Sequence, residues 1–274
     1  DTVQELAEAL RMVVDRSLPL WSVSFINPEM ARMKNRRPPK LEHGEPIRDQ
    51  CPQLTDAYLA VFVFPASRSG AVEDTLRGIV EASGGSLVAR DLAAHEWAER
   101  FSIMQIKRLG PSLIPAEVVL PLEGLDEVLE EIENSVQLPL VIEGIMATGA
   151  AEPEVIILGF IPHDERKFSY NLAFGLSLSV IGKAKKHGGR IYGSGLYFAH
   201  EAADILGRKR IEALQAYKKE VDPRGLMNPS KVLGKGGLLG SFMRLAGTFE
   251  PIIRLVGNQA RVSVGERMEG AGRR

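Results

Sequence analysis

The order of amphipathic segments between residues 117 and 221 constrains the fold of this chain more than any other feature. The predicted strands are residues 117–120, 139–146, 154–161 and 190–198, and the predicted helices are residues 122–134, 167–186 and 201–221. The strands are rich in β-branched and aromatic residues, and the helices repeat apolar residues at helical spacing. The order β-α-β-β-α-β-α is typical of a ferredoxin-like unit, with helices packed on one face of an antiparallel sheet. We therefore predict an α+β fold.

The first half of the chain shows a related, partial unit. Its predicted elements are a helix at 2–14, a strand at 20–26, a strand at 58–64, a helix at 70–83, a return strand at 86–91 and a helix at 94–108. Residues 27–52 between them are polar and contain a basic cluster at 34–40, which we interpret as a solvent-exposed face. The predicted sheet therefore extends beyond one β-α-β-β-α-β unit.

Composition excludes several classes of function. The 274 residues are 45% hydrophobic and 25% charged with a formal net charge of -1, so nothing favours nucleic-acid binding. Cys51 is the single cysteine, which excludes an internal disulfide and an iron–sulfur cluster bound by this chain alone. The histidines lack the spacing of a metal site, so we expect no metal. No apolar run is long enough to span a membrane, and we expect a cytoplasmic protein whose membrane contact is at most peripheral, at the inner face.

Turn-forming residues are concentrated in the segment 218–233, KKEVDPRGLMNPSKVL. Asp222-Pro223 ends the last predicted helix, Gly225 can adopt a positive φ, and Asn228-Pro229 makes a second turn. Leu226 and Met227 lie between the turns and are expected to be buried. We predict a loop that is held against another surface, although an ordinary exit from a helix would show part of the same pattern.

This segment resembles the closing signature of the FAD-linked oxidases and dehydrogenases of the vanillyl-alcohol oxidase type, in the branch of glycolate oxidase and D-lactate dehydrogenase subunits. The matching residues are Asp222, Pro223, Gly225, Asn228, Pro229, Lys231, Val232 and Leu233. The resemblance implies that residues 1–233 are the C-terminal cap (substrate) domain of such an enzyme. It also implies FAD as cofactor, held mainly by a domain or subunit absent from this chain. In this resemblance Asn228 contacts the flavin, and Pro229 sets the direction of Asn228.

Two further segments carry the resemblance. Trp97-Ala98-Glu99-Arg100 is similar to the family's Trp-x-x-Arg element, whose arginine helps to bind the substrate carboxylate, so Arg100 is a candidate substrate ligand. A surface ion pair is the other interpretation of Arg100. Residues 188–198 carry Tyr192 and Tyr197, candidates for lining the substrate pocket, although ordinary strand packing would also explain them. The family's Glu-His pair and its histidine-rich metal-binding run are missing, which leaves the catalytic residues unassigned.

The resemblance therefore predicts the cap-domain portion of a flavin-dependent oxidoreductase that acts on a small hydroxyacid or a related alcohol. An FAD-binding domain or subunit is the expected partner, and an iron–sulfur electron-transfer subunit is a further one. The alternative is a non-catalytic subunit or interaction module that retains the cap fold. Residues 234–274 are predicted to form a glycine hinge and an amphipathic, partly disordered tail. The chain begins without methionine, so we expect a piece of a longer protein.

Overall fold

The computed structural model describes residues 2–39, 41–43, 45–46, 52–109, 112–136, 138–147, 152–167, 169–193, 195, 198–229 and 233. Its helices are α1 (Val3–Asp15), α2 (Pro28–Asn35), α3 (Ser69–Ala82), α4 (Arg90–Ala98), α5 (Leu125–Ser135), α6 (Ser169–Lys186), α7 (Ala202–Leu206) and α8 (Arg208–Val221). Its strands are β1 (Ser22–Ile26), β2 (Leu41–Glu42), β3 (Glu45–Pro46), β4 (Leu59–Val63), β5 (Ser112–Pro121), β6 (Val141–Ala147), β7 (Glu154–His163) and β8 (Arg190–Ile191). Short 3-10 helices cover Ala66–Arg68, Ile103–Leu109 and Ala199–Glu201.

Within the described residues, six strands form one sheet in the order β4-β1-β6-β7-β5-β8, and all neighbours are antiparallel. The part built from β5-α5-β6-β7-α6-β8 has the connectivity of a ferredoxin-like unit. Strand β1 adds to the free edge of β6, and β4 adds to β1. The predicted α+β class, with an antiparallel sheet and a ferredoxin-like unit, is confirmed.

The main core lies between one face of this sheet and helices α1, α5 and α6. Alternate strand residues point to these helices, and all are buried: Val23 and Phe25 in β1, Ile142 in β6, Ile157 in β7 and Val118 in β5. Each buried aliphatic or aromatic side chain of this kind contributes about 1.5–3 kcal/mol to folding. This layer therefore holds the sheet in place.

The second face of the sheet is only partly covered. Helix α2 and the 3-10 helix Ile103–Leu109 pack on one region of it, where Met30, Met33 and Ile106 meet Val141 and Phe160. The prediction placed helices on one face of the sheet. The structure has that layer and, in addition, short helices on the second face. The region that they leave open forms the pocket described below.

Four predicted elements differ from the structure. Residues 86–89 form no strand, and Leu87 and Val88 are exposed, because α4 starts where the return strand was predicted. The helix predicted at 94–108 is α4 followed by a separate 3-10 helix. The strand predicted at 190–198 pairs over only Arg190–Ile191. Gly207, at a φ of 79°, separates α7 from α8 within the helix predicted at 201–221.

A tight contact between β1 and β6 yields a test of the fold. A Cβ atom added to Gly144 would lie 2.1 Å from Cζ of the buried Phe25 ring. We expect Gly144→Ala to lower the free energy of unfolding by about 1–3 kcal/mol, the usual cost of overpacking a core. Urea denaturation of wild type and variant measures this change in the free energy of unfolding.

Gly182→Ala is the matched control for this substitution. Gly182 lies on the exposed side of α6 with nothing within 4 Å of an added Cβ atom, so alanine is expected to stabilise the helix by about 0.5–1 kcal/mol. The double variant Phe25→Leu, Gly144→Ala should recover part of the loss. Equal effects of Gly144→Ala and Gly182→Ala would contradict the packing described for Phe25.

Candidate functional site

A pocket of about 400 Å³ opens on the second face of the sheet. Its floor is made by β1, β4 and β6, and its walls by α2, α4 and the segment that follows α4. The lining residues are Ser22, Ser24, Phe25, Ile26, Met30, Lys34, Arg37, Leu59, Val61, Val63, Glu96, Trp97, Glu99, Arg100, Phe101, Ser102, Ile103, Ile106, Glu143, Ile145 and Leu158. The volume is within the range of pockets that bind small molecules.

Strand register explains the composition of the floor. Because side chains alternate along a strand, the residues of β1 that do not enter the core, such as Ser22 and Ser24, face the pocket. Ser24 pairs with Val61 on one side and Ile145 on the other. Glu143 pairs with Ile26 and is the carboxylate of this otherwise mostly apolar surface.

A buried amide fixes the wall that carries Lys34. Asn27 caps α2 by accepting a hydrogen bond from the Met30 amide at 3.0 Å. The same side chain accepts from the Ile142 amide at 3.0 Å and donates to the Leu140 carbonyl at 2.9 Å. Helix α2 is thereby fastened to the start of β6, which holds Lys34 in a fixed position relative to the floor.

Three charged groups meet at the inner end of the pocket. Lys34 donates to Glu96 Oε2, and both side chains are mostly buried. Burial raises the pKa of the nearby Glu143 carboxyl, and the Glu96 charge adds to this effect while the Lys34 ammonium opposes it. Glu96 Oε1 is buried and has no hydrogen-bond partner among the described residues. An unsatisfied buried acceptor costs about 1–3 kcal/mol.

A second ion pair and an exposed cation stacked on aromatic rings also line the pocket. Arg37 is paired with Glu99 at 3.1 Å, and its side chain is only 5% exposed. Arg100 is exposed, and its guanidinium lies over the rings of Trp97 at 3.8 Å and Phe101 at 4.6 Å. Its Nη1 donates to the Trp97 carbonyl at 2.7 Å. The structure thus places Arg100 in the pocket lining, and its role as a substrate ligand stays a prediction.

The other predicted site residues lie elsewhere or outside the described residues. Tyr192 does not line the pocket: its amide donates to the Glu117 carbonyl at 3.2 Å next to β5, and its side chain is 46% exposed. Strand β8 ends at Ile191, so Tyr192 has left the sheet. Tyr197 lies outside the described residues, as does the predicted tail 234–274.

Asn228 and Pro229 are exposed on the loop that follows α8. Asp222 organises this loop by accepting from the amides of Leu226 at 2.8 Å and Met227 at 3.0 Å. Lys218 donates to Asp222 at 2.7 Å, and these contacts lower the pKa of the Asp222 carboxyl. Asn228 has a φ of 45°, in the left-handed region. The loop therefore has a defined shape, and the role of Asn228 and Pro229 at the flavin stays a prediction.

Leu226 and Met227 were expected to be buried, and that expectation is wrong for the described chain. They are 72% and 64% exposed, and their amides donate to Asp222. Leu214, Tyr217 and Val221 on α8 are also exposed. These five exposed apolar residues all lie within residues 214–227, near the C-terminal end of the described chain.

Sequence reasoning missed the inner charged group of the pocket. Lys34 was assigned to a solvated basic cluster, yet its side chain is only 13% exposed. Glu96 adjoins the Trp97–Arg100 element, and Glu143 is a lone carboxylate in the apolar strand predicted at 139–146. Glu143 was the one sequence feature that could have indicated this group. A carboxyl group within a buried strand needs a polar neighbour, so a polar site next to it could have been expected.

Comparison with known proteins identifies the family. The sequence profile of FAD linked oxidases, C-terminal domain, matches residues 1–232. The chain belongs to this family. The match confirms the family part of the resemblance described above, and the glycolate oxidase and D-lactate dehydrogenase branch stays a prediction. A comparison with curated protein sequences finds no match.

Solved structures of alkyldihydroxyacetonephosphate synthase in two crystal forms are similar to this FAD-linked oxidase domain. One has a TM-score of 0.49 at 13% identity, and the other a TM-score of 0.45 at 12% identity. Each match covers 83% of this chain and 42% of the synthase chain. The domain thus spans less than half of the length of these proteins.

The pocket does not suit the whole of FAD, the cofactor that the family name implies. The pyrophosphate of FAD needs cationic or backbone N–H donors. The lining instead contains the carboxylates of Glu96, Glu99 and Glu143, and two of its cations, Lys34 and Arg37, are already paired. No glycine is among the lining residues. The pocket is therefore suited to a small substrate, and the pyrophosphate requires other residues.

Within the part of the chain that the structure describes, no group of three or more histidine, cysteine or carboxylate side chains is arranged to hold a metal ion. None of the helices in the described residues is both long and apolar enough to cross a membrane.

The pKa of Glu143 leads to a prediction on stability. Because this pKa is raised above the ordinary value of 4.5, the folded state binds more protons than the unfolded state between 4.5 and the raised value. Wild-type stability should therefore fall as pH rises through this window. Glu143→Gln removes the titration, so its stability relative to wild type should increase with pH.

Urea denaturation of both proteins at several pH values from about 4.5 to 8 measures this difference. Glu29→Gln is the control, since Glu29 is also on the α2 side of the protein but does not line the pocket. A difference between Glu143→Gln and wild type that stays constant with pH, or shrinks as pH rises, would contradict the raised pKa.

Proposed function

We propose that this domain is the cap (substrate) domain of a flavin-dependent oxidoreductase and that the pocket on the second face of the sheet binds the substrate. The substrate class is a small hydroxyacid or a related alcohol, as in the glycolate oxidase and D-lactate dehydrogenase branch. The observation that carries the proposal is Arg100. Among the charged lining residues that the structure describes, it is the cation without a carboxylate partner.

An arginine in this position suits a carboxylate ligand. Its planar guanidinium can bind two carboxylate oxygens at once, and stacking on Trp97 restricts its orientation. The floor behind it is largely apolar, formed by residues such as Leu59, Val61 and Ile145. A small ligand bound there is partly removed from water, which strengthens its polar contacts.

The cofactor is FAD, and we place its main binding site on a domain or subunit outside residues 1–274. When bound, a flavin supplies the redox chemistry, and the protein binds and orients the substrate. The exposed apolar surface of α8 and the following loop supports contact with such a partner, because exposed apolar patches mark interaction sites. An iron–sulfur electron-transfer subunit is a further partner under this proposal.

The alternative is a non-catalytic subunit or interaction module that retains the cap fold. The same apolar surface, Leu214, Tyr217, Val221, Leu226 and Met227, favours it, since a binding surface needs no catalytic pocket. Under this alternative the pocket is retained with the fold but binds no substrate, and Arg100 makes no contribution to ligand binding.

Binding of propionate to the 274-residue chain tests the proposal. We expect propionate to shift the amide resonances of the pocket residues, and Arg100→Met to weaken this binding about tenfold or more, because it removes a charged hydrogen-bond donor. Titration followed by ¹⁵N-edited NMR measures the dissociation constants.

Arg90→Met is the matched control. Arg90 is 92% exposed and pairs with Glu73 on the surface, so the same substitution there should leave propionate binding unchanged. Equal affinities of wild type and Arg100→Met for propionate would contradict the binding of a carboxylate by Arg100 and favour the non-catalytic alternative.

A further inference from the structure

The inner end of the pocket is a built polar site in an apolar surrounding. The Glu96 side chain is only 10% exposed and still lines the cavity. Its Oε2 accepts from Lys34, while its Oε1 has no hydrogen bond. His95 Nε2 lies 3.9 Å from Oε1, beyond hydrogen-bond distance. Oε1 has no accessible surface of its own, so the part of Glu96 in this site is to hold Lys34 rather than to contact a ligand.

Glu143 completes this polar site. It is half-buried on the floor, and its carboxyl has no hydrogen-bonding side chain among the described residues. Lys34 and Glu96 line the same cavity, and their charges act in opposite directions on the pKa of the Glu143 carboxyl. The three side chains come from β6, α2 and α4, so three separate elements contribute polar groups to one cavity. We name them the inner triad: Lys34, Glu96 and Glu143.

The charge of the inner triad selects the kind of group that fits against it. A ligand carboxylate would only accept hydrogen bonds and would lie beside two carboxyl groups that share one ammonium, so it is disfavoured. An ammonium would be attracted by the carboxyl groups, but it could only donate and so could not accept from Lys34. A hydroxyl group can donate to a carboxyl oxygen and accept from Lys34 or from a protonated carboxyl.

We infer that the inner triad is the hydroxyl-binding subsite of the pocket, with Glu143 contacting the ligand hydroxyl and Lys34 and Glu96 positioning Glu143. This inference rests on the proposed function and refines it. A hydroxyacid would bind with its hydroxyl at the inner triad and its carboxylate toward Arg100 at the rim. The pocket therefore takes small molecules that carry both a hydroxyl and an anionic group.

Lactate and propionate differ by one hydroxyl group, and their affinities isolate this subsite. We expect the wild-type chain to prefer one enantiomer of lactate over propionate by about ten- to a hundredfold, the ratio that a hydrogen bond to a charged group provides. Glu143→Met keeps the length of the side chain and removes both oxygens. This variant should bind lactate and propionate with equal affinity. Isothermal titration at ligand concentrations up to about 100 mM covers affinities expected for such small ligands.

Two additional variants make the result specific. Glu143→Gln keeps the size and should lower the preference several-fold, and it replaces Glu143→Met if that variant does not fold. Glu29→Met makes the same substitution on α2, outside the pocket lining, and should retain the full preference.

The possible outcomes separate this inference from the proposed function. Equal binding of lactate and propionate to wild type would overturn the hydroxyl subsite while leaving the role of Arg100 intact. If neither acid binds but glycerol does, and Glu143→Met abolishes glycerol binding, then the hydroxyl subsite holds and the acid substrate class fails. Absence of binding by all three probes would overturn the subsite. A lactate preference that survives in Glu143→Met would also overturn it.

Discussion

The antiparallel register that sets Phe25 against Gly144 determines both faces of the sheet. Because side chains alternate along a strand, this register directs Val23 and Phe25 into the core and Ser22, Ser24 and Ile26 to the opposite face. A slip of one residue would exchange the two sets. The absence of a side chain at Gly144 leaves space for the Phe25 ring, so the pocket floor depends on a contact in the core behind it.

The ferredoxin-like part of the fold could be predicted from the sequence because its helices and strands have clear periodicity. Helix α5, for example, buries Leu125, Val128, Leu129 and Ile132 at helical spacing. The failures have local causes. Residues 86–89 are apolar enough for a strand, but α4 begins at Arg90 and takes up the second part of the predicted segment 86–91. Gly207 interrupts a long helical pattern, because it adopts a positive φ.

The site could be predicted only at its rim. Arg100 belongs to a short motif that is contiguous in sequence, so its position was accessible from the residues alone. The inner triad joins residues 34, 96 and 143, which only the folded sheet and the Asn27 contacts bring together. Sequence also suggested that Leu226 and Met227 are buried, since it does not show that Asp222 binds their amides. Long-range polar contacts of this kind leave no periodic signal.

Our proposal separates two tasks within this family of FAD-linked oxidases. The described domain offers a pocket for a small polar ligand, and its described lining combines three carboxylates with one unpaired cation, Arg100, which does not suit the pyrophosphate of FAD. Under the same proposal, the exposed apolar residues of α8 and its loop contact the part that holds the cofactor. This division is the central claim of our proposal, and it concerns where the flavin is bound rather than whether one is used.

Gel filtration of the 274-residue chain with FAD, followed by its visible absorbance, tests this claim most directly. Our account predicts that the protein peak is colourless and that the flavin absorbance elutes with the small molecules. A protein peak that carries flavin in equimolar amount would contradict the account, because this chain would then hold the cofactor unaided.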